Sequence, residues 1–278
     1  MAIRYAFANQ KGGVGKTTTV VNLAAAMAQW GVRTLVVDAD PQCNATTSLG
    51  LDARAVTHST YEVVSGRLPA AEGIHTTRWP GLDLLPSTPE LAGAAVELNA
   101  IEPRERAAKL RAALEPIVDY DYVLIDSPPS LGVLTVNALV AAHGVIVPVQ
   151  CEYLALEGLS QLTHTISLVQ RGLNRELRLR GVVMTMYDRR TTLAHQVVEE
   201  VQKYFPHHVF STVIPRSVRL SEAPSYGEPG VVYAPKAQGA EAYVELAREL
   251  LTGDGRAVTA DAPDMSAAAA ELVDDSVG

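Results

Sequence analysis

The sequence predicts an α/β fold, a mostly parallel twisted sheet with helices on both faces. Three observations carry this. Short β-branched runs alternate with helical patterns, the arrangement of a parallel sheet whose crossovers are helices. A glycine-rich turn joins the first such run to the first helical one, the strand–turn–helix order of a phosphate-cradling unit. The chain has 278 residues, 47% hydrophobic and 19% charged, the composition of an ordinary globular protein long enough to bury a sizeable core.

Taken in order, the first strand is read at 3–9, "IRYAFAN", and a helix over 16–30 follows the turn. The second strand is "TLVVDAD" at 34–40, and the irregular stretch 50–80 reads as a short helix with loops. A third strand, "LDLLPS" at 82–87, is followed by helices over 90–99 and 104–114. Two more strands, "YVLIDS" at 122–127 and "GVIVPV" at 144–149, are separated by a helix over 130–142. A helix at 156–171 precedes "GVVMTM" at 181–186. Over 192–205, Leu193, Val197, Val198, Val201 and Phe205 share one face, which predicts an amphipathic helix. A last strand is expected at 209–215, "VFSTVIP", and a last helix over 240–251, stopped by Gly253. There is no internal repeat. The expected organisation is one domain over 1–251 and a tail over 252–278 that is acidic, alanine-rich and free of aromatic residues, hence disordered.

Composition removes several function classes. Cys43 and Cys151 lack any CxxC or Cys/His spacing, so neither a zinc site nor a disulfide framework is expected, and a reducing compartment fits. No charged-then-apolar leader opens the chain, and the apolar stretch 138–149 is too short to span a bilayer. A cytoplasmic location is expected. The net charge of −8 argues at first against a nucleic-acid partner. Its distribution reverses that argument, because the tail sets six acids against Arg256 alone. Residues 171–220 hold nine basic side chains against Glu176, Asp188, Glu199 and Glu200.

The chemistry concentrates in "ANQKGGVGKTTT", residues 8–19. It nearly matches GxxxxGK[ST], except that Gln10 stands where the first glycine belongs and Lys11 adds a second lysine. Gly12, Gly13 and Gly15, with Val14 between them, let backbone amides turn inward as an anion nest. The helix that begins at Lys16 aims its positive end at the same point. Lys16 is placed to neutralise β/γ-phosphate oxygens, the Thr17 hydroxyl to ligate Mg²⁺, and Thr18 to lie near the α-phosphate. Two strands end in carboxylates: "TLVVDADPQ" with Asp38 and Asp40, and "YVLIDSPPS" with Asp126. Singly, an aspartate after a strand is more often a helix cap or turn former. All three at the carboxyl ends of parallel strands should converge on the loop, Asp126 to serve Mg²⁺ and Asp40 to orient an attacking water.

Together "KGGVGKTTT", "DADPQ" and "VLIDSPPSLG" resemble the deviant-Walker P-loop ATPases. "TMYDRRTTLAHQVVEEV" and "VIPRSVRLSEAPSYG" narrow the resemblance to the ParA/Soj chromosome- and plasmid-partitioning group. It covers residues 2–251. It implies an ATP- and Mg²⁺-dependent ATP hydrolase, slow and stimulated by a ParB/Spo0J-like centromere-binding partner. As a homodimer when ATP-bound, it would hold double-stranded DNA without sequence preference and so associate with the nucleoid. By the resemblance, Lys11 is the signature lysine that reaches the partner's phosphates, and Gly12 is the small residue at the dimer face. Lys16 and Thr17 match the phosphate and Mg²⁺ residues, and Asp40 matches the catalytic-water aspartate. Asp38 and Asp126 match Mg²⁺-shell groups. Pro215 and Arg216 match the segment against the adenine.

The resemblance further implies DNA contact around the strand at 181–186 and the helix after it. Arg189 and Arg190 precede that helix, while Arg216 and Arg219 flank the second candidate stretch; Arg216 stays open between nucleotide and DNA. A surface salt bridge, such as Arg190 with Glu199 or Glu200, is the competing use of such an arginine. A MinD-like membrane-associated positioning ATPase shares the loop but should end in a basic amphipathic helix, which this acidic tail is not. A metal-cluster carrier of the nitrogenase iron-protein type would need paired interface cysteines.

Overall fold

The computed structural model describes residues 2–152 and 155–258. Its centre is a seven-stranded sheet: β1 (Ile3–Phe7), β2 (Thr34–Asp38), β3 (His75–Thr76), β4 (Leu82–Leu85), β5 (Tyr122–Asp126), β6 (Gly144–Gln150) and β7 (Arg178–Thr185). The order is β3-β4-β2-β5-β1-β6-β7, parallel throughout except for the short β3, which pairs antiparallel with β4. Strands buried on both faces divide their side chains by period two. Tyr5 and Phe7 of β1 join the core under helices Lys16–Gln29 and Gln238–Gly253. Ala6 and Ala8 join the opposite core, with helices Leu91–Leu98, Val133–Ala141 and Ala155–Gly172.

The topology fixes where a ligand binds. From β1 the chain crosses to β2 on one side, and after β5 it returns to β6 on the other, so the direction of winding reverses at β1. The crevice beyond the carboxyl end of β1 is therefore the switch point where α/β sheets bind ligands. The glycine-rich turn occupies it. Gly15, at φ +85, starts the helix Lys16–Gln29, and Gly31, at φ +70, follows its end.

Two expectations need correction. The segment 209–215 is not a strand: it meets β7 and the turn after it at its two ends, through the bridges Val182↔Val209 and Tyr187↔Pro215 and the Ile214 amide donating to the Met184 carbonyl at 2.8 Å. Between them the chain lifts off, because the Glu249 carboxylate accepts from the amides of Ser211 (2.7 Å) and Thr212 (2.9 Å). The helix expected over 104–114 is broken into Pro103–Ala107 and Lys109–Leu114. Arg106 carbonyl and Leu110 amide, natural i→i+4 partners, are instead taken by the Asn137 side chain at 2.8 and 3.1 Å. The irregular stretch 50–80 holds two short helices, Thr60–Val64 and Ala70–Gly73, as well as β3.

The last helix runs to Gly253, past the boundary expected after Leu251. Asp254, counted by sequence as a tail acid, is mostly buried. Its carboxylate accepts from Tyr5 and Tyr122 hydroxyls and from Arg180 Nε, each at 2.9 Å. The rest of the expected tail, 259–278, lies outside the described residues. No helix among the described residues is long and apolar enough to cross a membrane.

Candidate nucleotide site and basic face

The loop between β1 and helix Lys16–Gln29 is strapped down from both sides. The Asn9 side chain donates to Pro148 carbonyl (2.7 Å) and accepts from the Lys11 amide (3.0 Å). Thr185 Oγ1 donates to the carbonyl of buried Val14 at 2.8 Å. The Gly15 carbonyl accepts from the amide and hydroxyl of Thr19, and the Tyr243 hydroxyl hydrogen-bonds to that Thr19 hydroxyl at 3.1 Å. Gly13 and Gly15 have φ +73 and +85, a region strained for any side chain, so these two positions require glycine. Gly12 does not: a Cβ there would meet only Pro129 Cβ, at 3.9 Å.

Two cavities adjoin at this loop. The first, about 310 Å³, is lined by Gly12, Gly13, Gly15, Lys16, Thr17, Thr18, Asp40 and Pro129, among others. The second, about 320 Å³, is walled by Met186, Ile214, Pro215, Arg216, Leu220, Pro224 and Tyr243. Gly15, Thr18, Met186 and Pro224 line both, so the two form one continuous cleft. The loop end presents Lys16 and the glycine-rich backbone, and the other end is walled in part by Met186, Ile214, Pro215 and Leu220. Pro215 and Arg216, expected against the adenine, line this second cavity. Tyr187, paired with this segment through Tyr187 amide to Ile214 carbonyl and Arg216 amide to Tyr187 carbonyl (both 3.0 Å), holds it over the cleft.

The register of the sheet brings the carboxylates together. Asp38 of β2 and Asp126 of β5 are paired positions, and Phe7, last residue before the loop, pairs with Asp126 as well. Asp126 Oδ2 accepts from the Thr17 hydroxyl at 2.6 Å, whereas its Oδ1 is buried with no partner. Burial, reinforced by the charge of Asp38, pushes the Asp126 carboxyl well above the ordinary range. Lys16 is buried beside it; burial holds its ammonium below the usual value, and Asp126 and Asp40 oppose that. Asp40 is buried too, its Oδ1 accepting from the Gln42 amide at 3.0 Å.

Asp38 differs from the expectation of a ligand facing the loop. Its Oδ2 accepts from the Thr46 amide (2.9 Å) and hydroxyl (2.7 Å), and its Oδ1 from the Asp40 amide (3.1 Å). It lines neither cavity. Thr46 Oγ1 accepts in turn from the Ser87 amide, so Asp38 braces the Asp40 turn against the end of β4. Among the described residues no three acidic, His or Cys side chains form a metal-holding group.

The two lysines part company. Lys16 lines the phosphate cavity; Lys11 lines neither, and its ammonium pairs with Glu152 at 2.7 Å. Glu152, Thr46, Thr185 and Tyr243 were not singled out in the sequence. They come from distant segments, and only the assembled sheet ends bring them to the loop.

Of the nine basic residues in 171–220, the structure separates two groups. Arg180 is committed to Asp254 and the Leu250 carbonyl, and Arg178 to the Arg175 and Leu177 carbonyls, at the strand ends away from the cleft. Arg189, Arg190, Arg216 and Arg219 are exposed, and of these Arg216 lines the second cavity. Arg190 is 83% exposed and pairs with Asp188 (2.7 Å), not with Glu199 or Glu200. That arginine holds the Asp188 carboxyl below the usual carboxylate range. Arg219 pairs with Glu222 at 2.9 Å, and among the described residues neither Arg189 nor Arg216 makes an ion pair.

Known proteins bear on this arrangement. The family described as an AAA domain matches residues 3–179. The chain is 53% identical over 247 residues to the chromosome partitioning protein ParA of Myxococcus xanthus, covering 88% of this chain and 87% of the relative. It is 52% identical to the sporulation initiation inhibitor protein Soj of Bacillus subtilis, over 88% of this chain and 96% of the relative. A solved structure from Mycobacterium smegmatis, described as cobyrinic acid a,c-diamide synthase with bound ATP analog and magnesium, superposes with a TM-score of 0.80. It shares 40% identity, covering 93% of this chain and 98% of that one.

Proposed function

This chain belongs to the ParA/Soj family of chromosome-partitioning ATPases, and on that premise we propose that it is a DNA-partitioning ATPase working as a nucleotide-gated dimer. ATP lies along the cleft, its base against Pro215 and Met186 and its phosphates over the amides of Gly13 to Thr18. A relative 40% identical holds an ATP analog and magnesium, which supports this assignment. The donors fit Mg²⁺: the Thr17 hydroxyl and the Asp126 carboxylate are hard oxygens, and the buried unpartnered Asp126 Oδ1 is an acceptor in want of a cation or its water. The Thr17 hydroxyl and the Asp126 carboxylate would hold the ion, which would supply neutralisation of phosphate charge there.

The chain's own residues do the rest. Lys16 neutralises phosphate oxygens from inside the cavity. Asp40, fixed by the Gln42 amide and by the Asp38–Thr46 brace behind it, orients the water that attacks the terminal phosphate, giving ADP and phosphate. Lys11 serves the nucleotide of a second chain. Gly12 keeps the two loops close, and its glycine has no reason within this chain.

The observation that supports this reading most is the separation of Lys11 from the cavity that Lys16 lines. Doubling the basic face of Arg189, Arg190, Arg216 and Arg219 in a dimer multiplies weak phosphate contacts, so DNA retention follows nucleotide state. A ParB/Spo0J-like partner stimulates hydrolysis and releases the monomers. The test is DNA binding without nucleotide, with ADP and with ATP. Binding that requires ATP supports the cycle; equal binding in all three conditions overturns it.

A further inference from the structure

We propose that Glu152 is a positioning residue that parks Lys11 away from its own chain's phosphates until a second chain's triphosphate displaces it; this rests on the dimeric reading above. The Lys11 ammonium sits 2.7 Å from Glu152 Oε2, and the two side chains are 42% and 45% exposed. Both ends of the pair are held. Asn9 anchors the Lys11 amide to the Pro148 carbonyl of β6. The Gln150 side chain donates to the other Glu152 oxygen, and the Glu152 amide donates to the Gln150 carbonyl at 2.8 Å. The Cys151 amide, between them, donates to the Thr185 carbonyl, and Thr185 also straps Val14. The ends of β6 and β7 therefore brace both halves of the loop and carry the carboxylate that claims its spare lysine.

The energetics suit an exchange. An ion pair this exposed is weak, so it directs Lys11 without trapping it. A triphosphate offers several anionic oxygens against one carboxylate and takes the lysine; a diphosphate offers fewer. The carboxylate thus lays a fixed, small penalty on closure through Lys11, one that a triphosphate overcomes more readily than a diphosphate. Within one chain it stops Lys11 from folding back over the loop beside Lys16.

The experiment measures dimer dissociation constants by sedimentation for the full chain with Mg²⁺ and either a non-hydrolysable ATP analogue or ADP. Glu152→Gln and Glu152→Ala should tighten the analogue-bound dimer roughly two- to fivefold, the range of an exposed ion pair, and tighten the ADP-bound state no more than that. Glu152→Asp, which keeps the charge, should bring the analogue-bound dimer back towards its wild-type dissociation constant. In a Lys11→Ala background the Glu152 substitutions should change nothing, a coupling that a merely structural role would not produce. Unchanged or weaker dimerisation in Glu152→Gln, or the same shift without Lys11, overturns the proposal while the dimeric reading stands. A wild-type chain that stays monomeric with the analogue overturns both.

Discussion

The Thr17 hydroxyl donates to Asp126 at 2.6 Å, while the second oxygen of that carboxylate is buried without a partner. A hydroxyl that donates to a carboxylate still has lone pairs for a cation, and it orients the carboxylate from the side. Thr17→Ala should therefore lose the Mg²⁺-dependent part of nucleotide affinity, on the order of tenfold. Thr17→Ser should retain it. Fluorescent-nucleotide titrations with Mg²⁺ and with EDTA check this; an alanine variant with an intact Mg²⁺ response removes Thr17 from the site.

Within the loop, Lys11 and Gly12 should separate binding from assembly. Neither is needed by the fold, since Lys11 is exposed and Gly12 has room for a Cβ. Lys11→Ala and Gly12→Val should keep nucleotide binding within about twofold, as exposed sites without special geometry allow. Both should abolish the ATP-dependent dimer and hydrolysis. Light scattering and phosphate release read the two effects. A Lys11→Ala chain that hydrolyses normally as a monomer would falsify the two-chain site.

The basic face makes its own demand. Arg190 is neutralised locally by Asp188 and Arg219 by Glu222, so each must leave a carboxylate to meet DNA. Arg190→Glu with Arg219→Glu should abolish ATP-dependent DNA retention without loss of ATP binding. The milder alanine pair should lower the salt slope of binding by about one for each phosphate contact removed. Asp188→Asn should act oppositely and tighten DNA binding, because it frees Arg190. A double glutamate variant that shifts DNA like wild type at matched salt removes these arginines from the interface.

Much of this site was legible because its signals are local. "KGGVGKTTT" sets glycines, lysine and hydroxyl on consecutive residues, and parallel strands ending in Asp38 and Asp126 must bring those ends side by side. What stayed hidden depends on tertiary partners. Glu249 peels 211–212 from the sheet edge, and Asn137 splits a continuous helical pattern at Ala108. Asp38 and Asp40 are indistinguishable as letters, and only Thr46 and Ser87 turn the first into a brace. Asp254 read as one of several tail acids. Nothing nearby in sequence announces Tyr5, Tyr122 and Arg180 as its partners.

That clamp carries a stability prediction. The Asp254 carboxylate is mostly buried and satisfies two tyrosine hydroxyls and a half-buried guanidinium. Asp254→Ala should cost about 2–4 kcal/mol, because it strands these donors. Asp254→Asn should cost less, since it keeps an acceptor. Denaturant melts of the full chain measure the difference. The site lies at the far ends of the strands, so nucleotide affinity should hold in whatever fraction stays folded. A loss of affinity in folded Asp254→Ala would instead reveal coupling through helix Gln238–Gly253, which carries Tyr243 against Thr19.

Asp40 gives the sharpest test of the chemistry. It lines the phosphate cavity, its side chain is held by the Gln42 amide, and its charge acts on the buried Lys16. Its removal leaves the loop, Lys16 and the Thr17–Asp126 pair intact, so ATP should bind as well or slightly better. The reaction loses its water-orienting carboxylate, a deficit on the order of a hundredfold or more in turnover. The dimer closes but is not reset. Asp40→Ala should therefore hold DNA with ATP for longer than wild type, while showing the same absence of retention with ADP. Single-turnover phosphate release and DNA dissociation rates, measured on the same preparation, decide it. Slow hydrolysis with normal DNA release would mean that release does not wait for the chemical step. Fast hydrolysis would move the catalytic role away from Asp40, leaving it a turn residue braced by Asp38.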